Sequence, residues 1–384
     1  MATAALLCCR NTDYSMKSQY ASLFVGKKRA IRSKGVKGIT IKKPPLVSSS
    51  RSLDDDEDDD EEDKSMTVEK KRKLGCWDYA DDASKVLVSV CIKEPRLVSG
   101  CVSIYDYECL DRIGHGTYGT VFRARHTKTG QIVAVKKELH GLSKSSLMEI
   151  DILRSLDHHP SIVGYKQVAV DDHDGVYAVM EYVEYDLQKY LKRPGLTLPE
   201  VKRLMKELLE GVKFLHENRV MHRDLKPSNV LISTEGKLKI CDFGMSRQFP
   251  TMPDSTCTAL VGTLWYRAPE LLLGEHTYSS AVDMWSVGCI MAEFFLGQVL
   301  FKGKSEIHQL RVIYSSVASL QFQQPSRDYD LLYDKLIAAT ASRGGPMLTE
   351  SGFELLCRLL AFHPENRITA EDALNHDWFG ESSP

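Results

Sequence analysis

Residues 220–229 read Val-Met-His-Arg-Asp-Leu-Lys-Pro-Ser-Asn, and thirteen residues after Asn229 comes Asp242-Phe243-Gly244. This spacing constrains the chain more than any other feature, because it places an acid (Asp224), a cation (Lys226) and an amide (Asn229) on one short loop. Val230-Leu231-Ile232 and Leu238-Lys239-Ile240 are short apolar strands joined by the turn Ser233-Thr234-Glu235-Gly236. The resulting hairpin returns Asp242 to the side of Asn229, so two hard oxygen donors meet. Upstream, Val201, Leu204, Met205, Leu208, Val212 and Leu215 recur at helical spacing. They predict an amphipathic helix whose buried stripe delivers the loop from a rigid support. That stripe is core, and His222 is expected to pack and hydrogen-bond inside the loop.

A second signal lies about a hundred residues earlier, in Ile113-Gly114-His115-Gly116-Thr117-Tyr118-Gly119-Thr120-Val121. Three glycines let backbone amides approach a phosphate with no Cβ in the way. Alone the pattern is weak, since it also opens dinucleotide-binding βαβ units. Here strand-like Val121-Phe122-Arg123-Ala124 follows it, and not a helix. The turn at Thr129-Gly130 leads into Gln131-Ile132-Val133-Ala134-Val135-Lys136. Alternation puts Ala134 and Lys136 on one face, where a small residue can floor an adenine and an amine can reach phosphate oxygens. Such a lysine needs a carboxylate partner. Glu149 is the candidate, on a helix marked by Leu147, Ile150, Leu153 and Leu156. Ser146-Leu147-Met148-Glu149 also spells a capping box, in which Glu149 would serve only the helix start.

The chain has 384 residues, 43% of them hydrophobic, which is ample for buried cores without metals or disulfides. Its ten cysteines include no Cys-x-x-Cys pair, so reduced thiols in an intracellular compartment are the simpler expectation. No apolar run approaches the length needed to cross a bilayer. The net charge of −2 hides an asymmetry: residues 1–51 are basic with a single acid, Asp13, whereas residues 54–63 are ten consecutive acids. Residues 1–75 are therefore expected to be a disordered tail. Lys70-Lys71-Arg72-Lys73 resembles a nuclear-import signal, and the basic, serine-bearing start also fits an organelle transit peptide or a functionally silent tail. The basic stretch has few aromatics and is followed by competing acids, which argues against nucleic-acid binding. Residues 76–106 form an extension, with a short strand expected at Val86-Leu87-Val88-Ser89-Val90.

These clusters, in this order, resemble the protein kinases. Thr263-Leu264-Trp265-Tyr266-Arg267-Ala268-Pro269-Glu270 and Asp283-Met284-Trp285-Ser286-Val287-Gly288-Cys289 narrow the resemblance to the cyclin-dependent kinase group. Val183-Glu184-Tyr185-Asp186-Leu187 and Gly303-Lys304-Ser305-Glu306-Ile307 look most similar to its PITSLRE-type and plant G-type members. The resemblance implies an α+β, bilobal fold over residues 107–379: a β-rich N-lobe with one regulatory helix to about residue 181, then a mainly helical C-lobe. It implies ATP and Mg2+ as cofactors and Ser/Thr of protein substrates as acceptors, in cell-cycle or transcription regulation. Asp224 would orient the acceptor hydroxyl, with Lys226 and Thr263 beside it, and Asn229 and Asp242 would hold magnesium. ATP would lie between residues 113–121, Ala134, Lys136, Glu181, Val183 and Leu231. Thr117 and Tyr118 match an inhibitory phosphorylation pair, and Thr258 matches the activating site, whose phosphate Arg223 and Arg247 would bind. Arg367 matches the usual partner of Glu270.

The sequence departs from that group in several places. Met148 stands where a third phosphate-binding arginine is usual, and Gly262 where a bulkier residue is usual beside the substrate. The segment from Ser143 to Glu149 follows Lys136 closely, so much of the usual cyclin-facing surface is missing and a cyclin is only a possible partner. These departures leave an alternative: a kinase-like scaffold or pseudokinase that binds nucleotide without turnover.

Overall fold

A computed structural model describes residue 77 and residues 100–116, 119–138, 144–156, 158–173, 175–249, 262–317 and 327–381. The chain divides into two units, Met1–Tyr105 and Asp106–Pro384. In the first, the described residues include a short strand at Val102–Ser103. The basic and acidic tail and the strand expected at 86–90 lie outside the described residues.

In the second unit five antiparallel strands form the N-lobe sheet: β1 (Tyr107–Gly116), β2 (Gly119–His126), β3 (Ile132–Glu138), β4 (Tyr165–Val170) and β5 (Val176–Glu181). They lie in the order β4-β5-β3-β2-β1. The glycine-rich segment joins β1 to β2, as its turn chemistry predicts. Its last glycine is sterically obligatory, since a Cβ on Gly119 would sit 2.3 Å from the carbonyl oxygen of Lys137 on the neighbouring strand. In β3, Lys136 pairs in register with Val121 on one side and Ala178 on the other. A central strand with partners on both sides holds the Lys136 backbone firmly. Across β3 packs helix α1 (Lys144–Ser155), which buries Ile150, Ile152 and Leu153.

The C-lobe is mainly helical. Its elements are strand β6 (Tyr185–Asp186), helices α2 (Leu187–Tyr190) and α3 (Leu198–Glu217), strands β7 (Val220–Met221), β8 (Val230–Ile232), β9 (Leu238–Ile240) and β10 (Arg247–Gln248), then α4 (Pro269–Leu272), α5 (Ala281–Leu296), α6 (Glu306–Val317), α7 (Arg327–Arg343), α8 (Glu350–Leu359) and α9 (Ala370–Leu374). The stripe expected on α3 is fully buried, from Val201 through Leu215. Strands β8 and β9 pair antiparallel, Val230 opposite Ile240, which is the hairpin expected from the sequence. Every residue of α5 from Val282 to Leu296 is buried. Its polar members Asp283, Ser286 and Glu293 must therefore find partners inside the protein.

One expectation is adjusted. Cys109 is disulfide-bonded, whereas Cys101, Cys241, Cys289 and Cys357 are free, so uniformly reduced thiols do not describe this chain. No described helix is long and apolar enough to cross a membrane.

Candidate active site

The catalytic loop is held from beneath by a residue of α5. The Asp283 carboxylate accepts the amide of His222 at 2.9 Å through Oδ2 and that of Arg223 at 2.8 Å through Oδ1, with the His216 ring 3.0 Å from Oδ2. Burial opposes charge on Asp283, but His216, His222 and the Arg223 amide outweigh it and hold the group below the usual carboxylate range. His222 is structural, as expected: its Nε2 meets the Cys241 carbonyl at 3.0 Å and its ring packs on Phe243. Arg223, with φ +67°, turns the chain so that Asp224 faces the cleft.

Asp224, Lys226, Asn229 and Thr263 form one hydrogen-bonded group. Lys226 Nζ donates to Asp224 Oδ2 at 2.7 Å and to Thr263 Oγ1 at 2.8 Å. Thr263 gives Asp224 Oδ1 two bonds of 2.8 Å, one from its amide and one from its hydroxyl. Asn229 Nδ2 donates to the Asp224 carbonyl at 2.9 Å and to Oδ2 at 3.2 Å. Its two amide hydrogens are thus committed, which leaves Oδ1 as a donor atom for a cation.

Asp242 stands across the cleft in a left-handed backbone conformation, φ +62°. Its Oδ1 lies 3.3 Å from Lys136 Nζ. Burial works against its charge, but Lys136, His222 and Lys226 together keep its carboxyl below the ordinary range, and so ionised. Lys136 donates to both oxygens of Glu149, at 2.6 and 2.8 Å, and both side chains are buried. Desolvation disfavours the ammonium, yet Glu149, Asp242 and Glu138 outweigh it and hold the proton on Lys136. Glu149 therefore serves Lys136, and the capping-box alternative is set aside: Ser146 Oγ bonds Glu138 Oε2 at 2.8 Å.

These residues line one cleft of about 860 Å³ together with Ile113, Gly114, His115, Gly116, Gly119, Val121, Ala134, Glu181, Val183 and Leu231. That volume suits a nucleoside triphosphate. Ala134, Val121 and Leu231 supply apolar walls. The Glu181 carboxylate is turned to the Gly164 amide (2.6 Å) and Lys239 (2.7 Å), leaving its main chain beside that of Val183 along the cleft wall. Thr120 is buried, and its hydroxyl meets His115 Nδ1 at 3.1 Å. Burial and the neighbouring Asp242 push the Cys241 thiol well up, which disfavours its thiolate. Asp242 and Asn229 offer hard oxygens that fit Mg2+, and no described group of three His, Cys, Asp or Glu residues competes for a metal.

Thr117, Tyr118 and Thr258 lie outside the described residues. Of the two arginines expected to meet a phosphate, Arg247 is half-buried in β10, opposite Met221. Arg223 donates to the Met245 carbonyl and to the Tyr278 hydroxyl, each at 2.7 Å. The roles of Asp283 and Tyr278 were not assigned from the sequence. Asp283 was visible there as one of two acids, with Glu293, in the apolar run of α5, a position that demands a polar partner.

The site geometry agrees with the comparisons. Residues 107–379 match the family model described as protein kinase domain. The chain is 46% identical over 376 residues to "Cyclin-dependent kinase G-1" of Oryza sativa subsp. indica, covering 87% of this chain and 54% of that protein. It is 46% identical over 316 residues to "Cyclin-dependent kinase G1" of Arabidopsis thaliana, covering 75% of this chain and 51% of that one. It is 43% identical over 306 residues to "Cyclin-dependent kinase 11B" of Homo sapiens, covering 74% and 38% respectively. The chain thus spans about half the length of the plant relatives it matches. With the family model covering most of its length and a complete set of facing residues in one cleft, the chain belongs to the protein kinase family, within its cyclin-dependent kinase group.

Proposed function

We propose that this protein transfers the γ-phosphoryl group of ATP to serine or threonine hydroxyls of protein substrates. The observation that carries this reading is the group around Asp224, where one carboxylate receives Lys226, Thr263 and Asn229 within 3.2 Å while Lys136, Glu149 and Asp242 face it across the same cleft. Asp224 would accept or orient the acceptor's proton, Lys226 would neutralise charge on the group in transit, and Lys136 would place the nucleotide phosphates. Asn229 and Asp242 would hold Mg2+, which would supply positive charge to offset that of the nucleotide phosphates. Catalysis in such a site is positioning and charge neutralisation.

A proline after the acceptor is favoured by the local backbone. The carbonyl of Gly262 is taken by Arg267 Nη2 at 2.9 Å. A substrate amide arriving there lacks that acceptor, and proline has no amide hydrogen to lose. The Lys136–Glu149 pair also weighs against a scaffold that cannot assemble its site, since α1 already delivers Glu149. A cyclin partner, a nuclear location through Lys70-Lys71-Arg72-Lys73, and regulation through Thr117, Tyr118 and Thr258 follow from the family resemblance and remain part of the proposal. Phosphate transfer from labelled Mg-ATP to a basic Ser-Pro peptide tests the reading, with Asp224→Asn as control. Transfer by the wild type and a loss of about a hundredfold or more in the variant are expected; equal signals from the two proteins would reject it.

A further inference from the structure

Strand β3 sends two side chains toward α1, and the reaction uses only one of them. Alternation along the strand puts Lys136 and Glu138 on the same face, and both are buried. Opposite them, Ser146 and Glu149 are three residues apart on α1 and share one face of it. The result is a clasp with two rungs: Lys136 to Glu149 at 2.6 Å, and Ser146 Oγ to Glu138 Oε2 at 2.8 Å.

The second rung is costly to maintain. Glu138 is 6% exposed, and its Oε1 is buried with no hydrogen-bond partner among the described residues. It also adds a third carboxylate around Lys136, beside Glu149 and Asp242. An apolar side chain would fill the same space without desolvating a charge. What Glu138 supplies, and an apolar residue cannot, is a fixed acceptor for the first turn of α1. A helix held at one point can rotate about its axis and carry Glu149 off Lys136, whereas two rungs a turn apart fix its rotation.

We propose that Glu138 is a positioning residue that acts through Ser146, holding α1 so that Glu149 meets Lys136 with no second chain present. This inference rests on the reading of Lys136 as the residue that places the nucleotide phosphates.

The test uses the full chain with no partner added and compares Ser146→Thr with Ser146→Val. The two replacements have nearly the same shape, and only threonine keeps the hydroxyl. A second pair, Glu138→Gln and Glu138→Leu, keeps or removes the acceptor. The measurements are kcat and KM for Mg-ATP with a Ser-Pro peptide, the Kd of a non-hydrolysable ATP analogue, and the melting temperature without nucleotide. Loss of a hydrogen bond to a charged group predicts that the Val and Leu variants fall about tenfold or more in kcat/KM for ATP, and weaken for the analogue, relative to Thr and Gln. Ser146→Val strands a buried carboxylate and should melt below Ser146→Thr, whereas Glu138→Leu removes that carboxylate and should melt no lower than Glu138→Gln, so its loss of affinity separates positioning from stability. Equal analogue affinity within both pairs would overturn the proposal. So would activity losses that only follow a lower melting temperature. If the wild type proves no more active than Asp224→Asn, the kinase reading fails, and analogue affinity within each pair still decides the clasp.

Discussion

Asp283 and Arg223, sixty residues apart in sequence, are joined by a 2.8 Å bond from the Arg223 amide to a carboxylate that is itself fully buried. The same carboxylate takes the His222 amide, so one side chain of α5 sets the backbone on which Asp224 stands. Asp283→Asn puts an amide hydrogen where one of these backbone donors now points. The expected result is a loss of about 2–4 kcal/mol in stability and a fall in kcat larger than any change in peptide KM. Thermal or denaturant unfolding combined with steady-state kinetics checks both parts. Unchanged kcat in a folded variant would show that the loop is fixed by something else.

Glu293 gives the C-lobe a pH dependence. Burial pushes its carboxyl up to about 7, only partly opposed by the Tyr266 hydroxyl that bonds it at 2.5 Å. A raised acid binds its proton more tightly in the folded than in the unfolded chain. Its contribution is therefore full below the unfolded value near 4.5 and is lost as pH rises through about 7. The window is worth on the order of 3 kcal/mol. Glu293→Gln should flatten this part of the profile, seen as a smaller fall in unfolding free energy between pH 5 and 8 than in the wild type.

Gly262 is a backbone requirement of the substrate side of the site. Its φ is +79°, and a Cβ there would meet the Arg223 carbonyl oxygen at 2.6 Å. Gly262→Ala should cost about 1–2 kcal/mol of stability. It should also disturb Thr263, and through it Asp224, lowering kcat more than ATP affinity. Peptide kinetics with analogue binding separates these effects.

Glu270 and Arg367 brace the C-lobe. Two guanidinium bonds of 2.8 and 3.1 Å join them, and Arg367 also donates to the carbonyls of Ala281, Ala361 and Phe362. Removing one partner leaves a buried charge uncompensated. Glu270→Ala or Arg367→Ala should each destabilise by about 3–5 kcal/mol, and the double variant by less than the sum of the two. Additive losses in denaturant unfolding would refute the coupling.

Much of the site was legible in the chain itself, for reasons visible at particular residues. The hairpin that returns Asp242 to Asn229 is a local matter of two apolar triplets and a turn. The Ala134–Lys136 face follows from strand alternation, and the support helix from the spacing of Val201 through Leu215. Short-range geometry of this kind is dictated by covalent structure and hydrophobic pattern, so it can be read without coordinates.

Other features required the fold. Nothing near Ser146 distinguishes a helix cap from a clasp on Glu138, because that choice depends on how far α1 sits from β3. Asp283 reads as a misplaced acid until two amides from a loop sixty residues away supply its bonds. The left-handed turns at Arg223 and Asp242 are likewise invisible in residue type, since neither is glycine. The sequence determined which groups this protein has and how each local segment bends. The tertiary structure decided which buried charges face one another, because the partner of a desolvated carboxylate is set by the packing of distant elements and not by its neighbours along the chain.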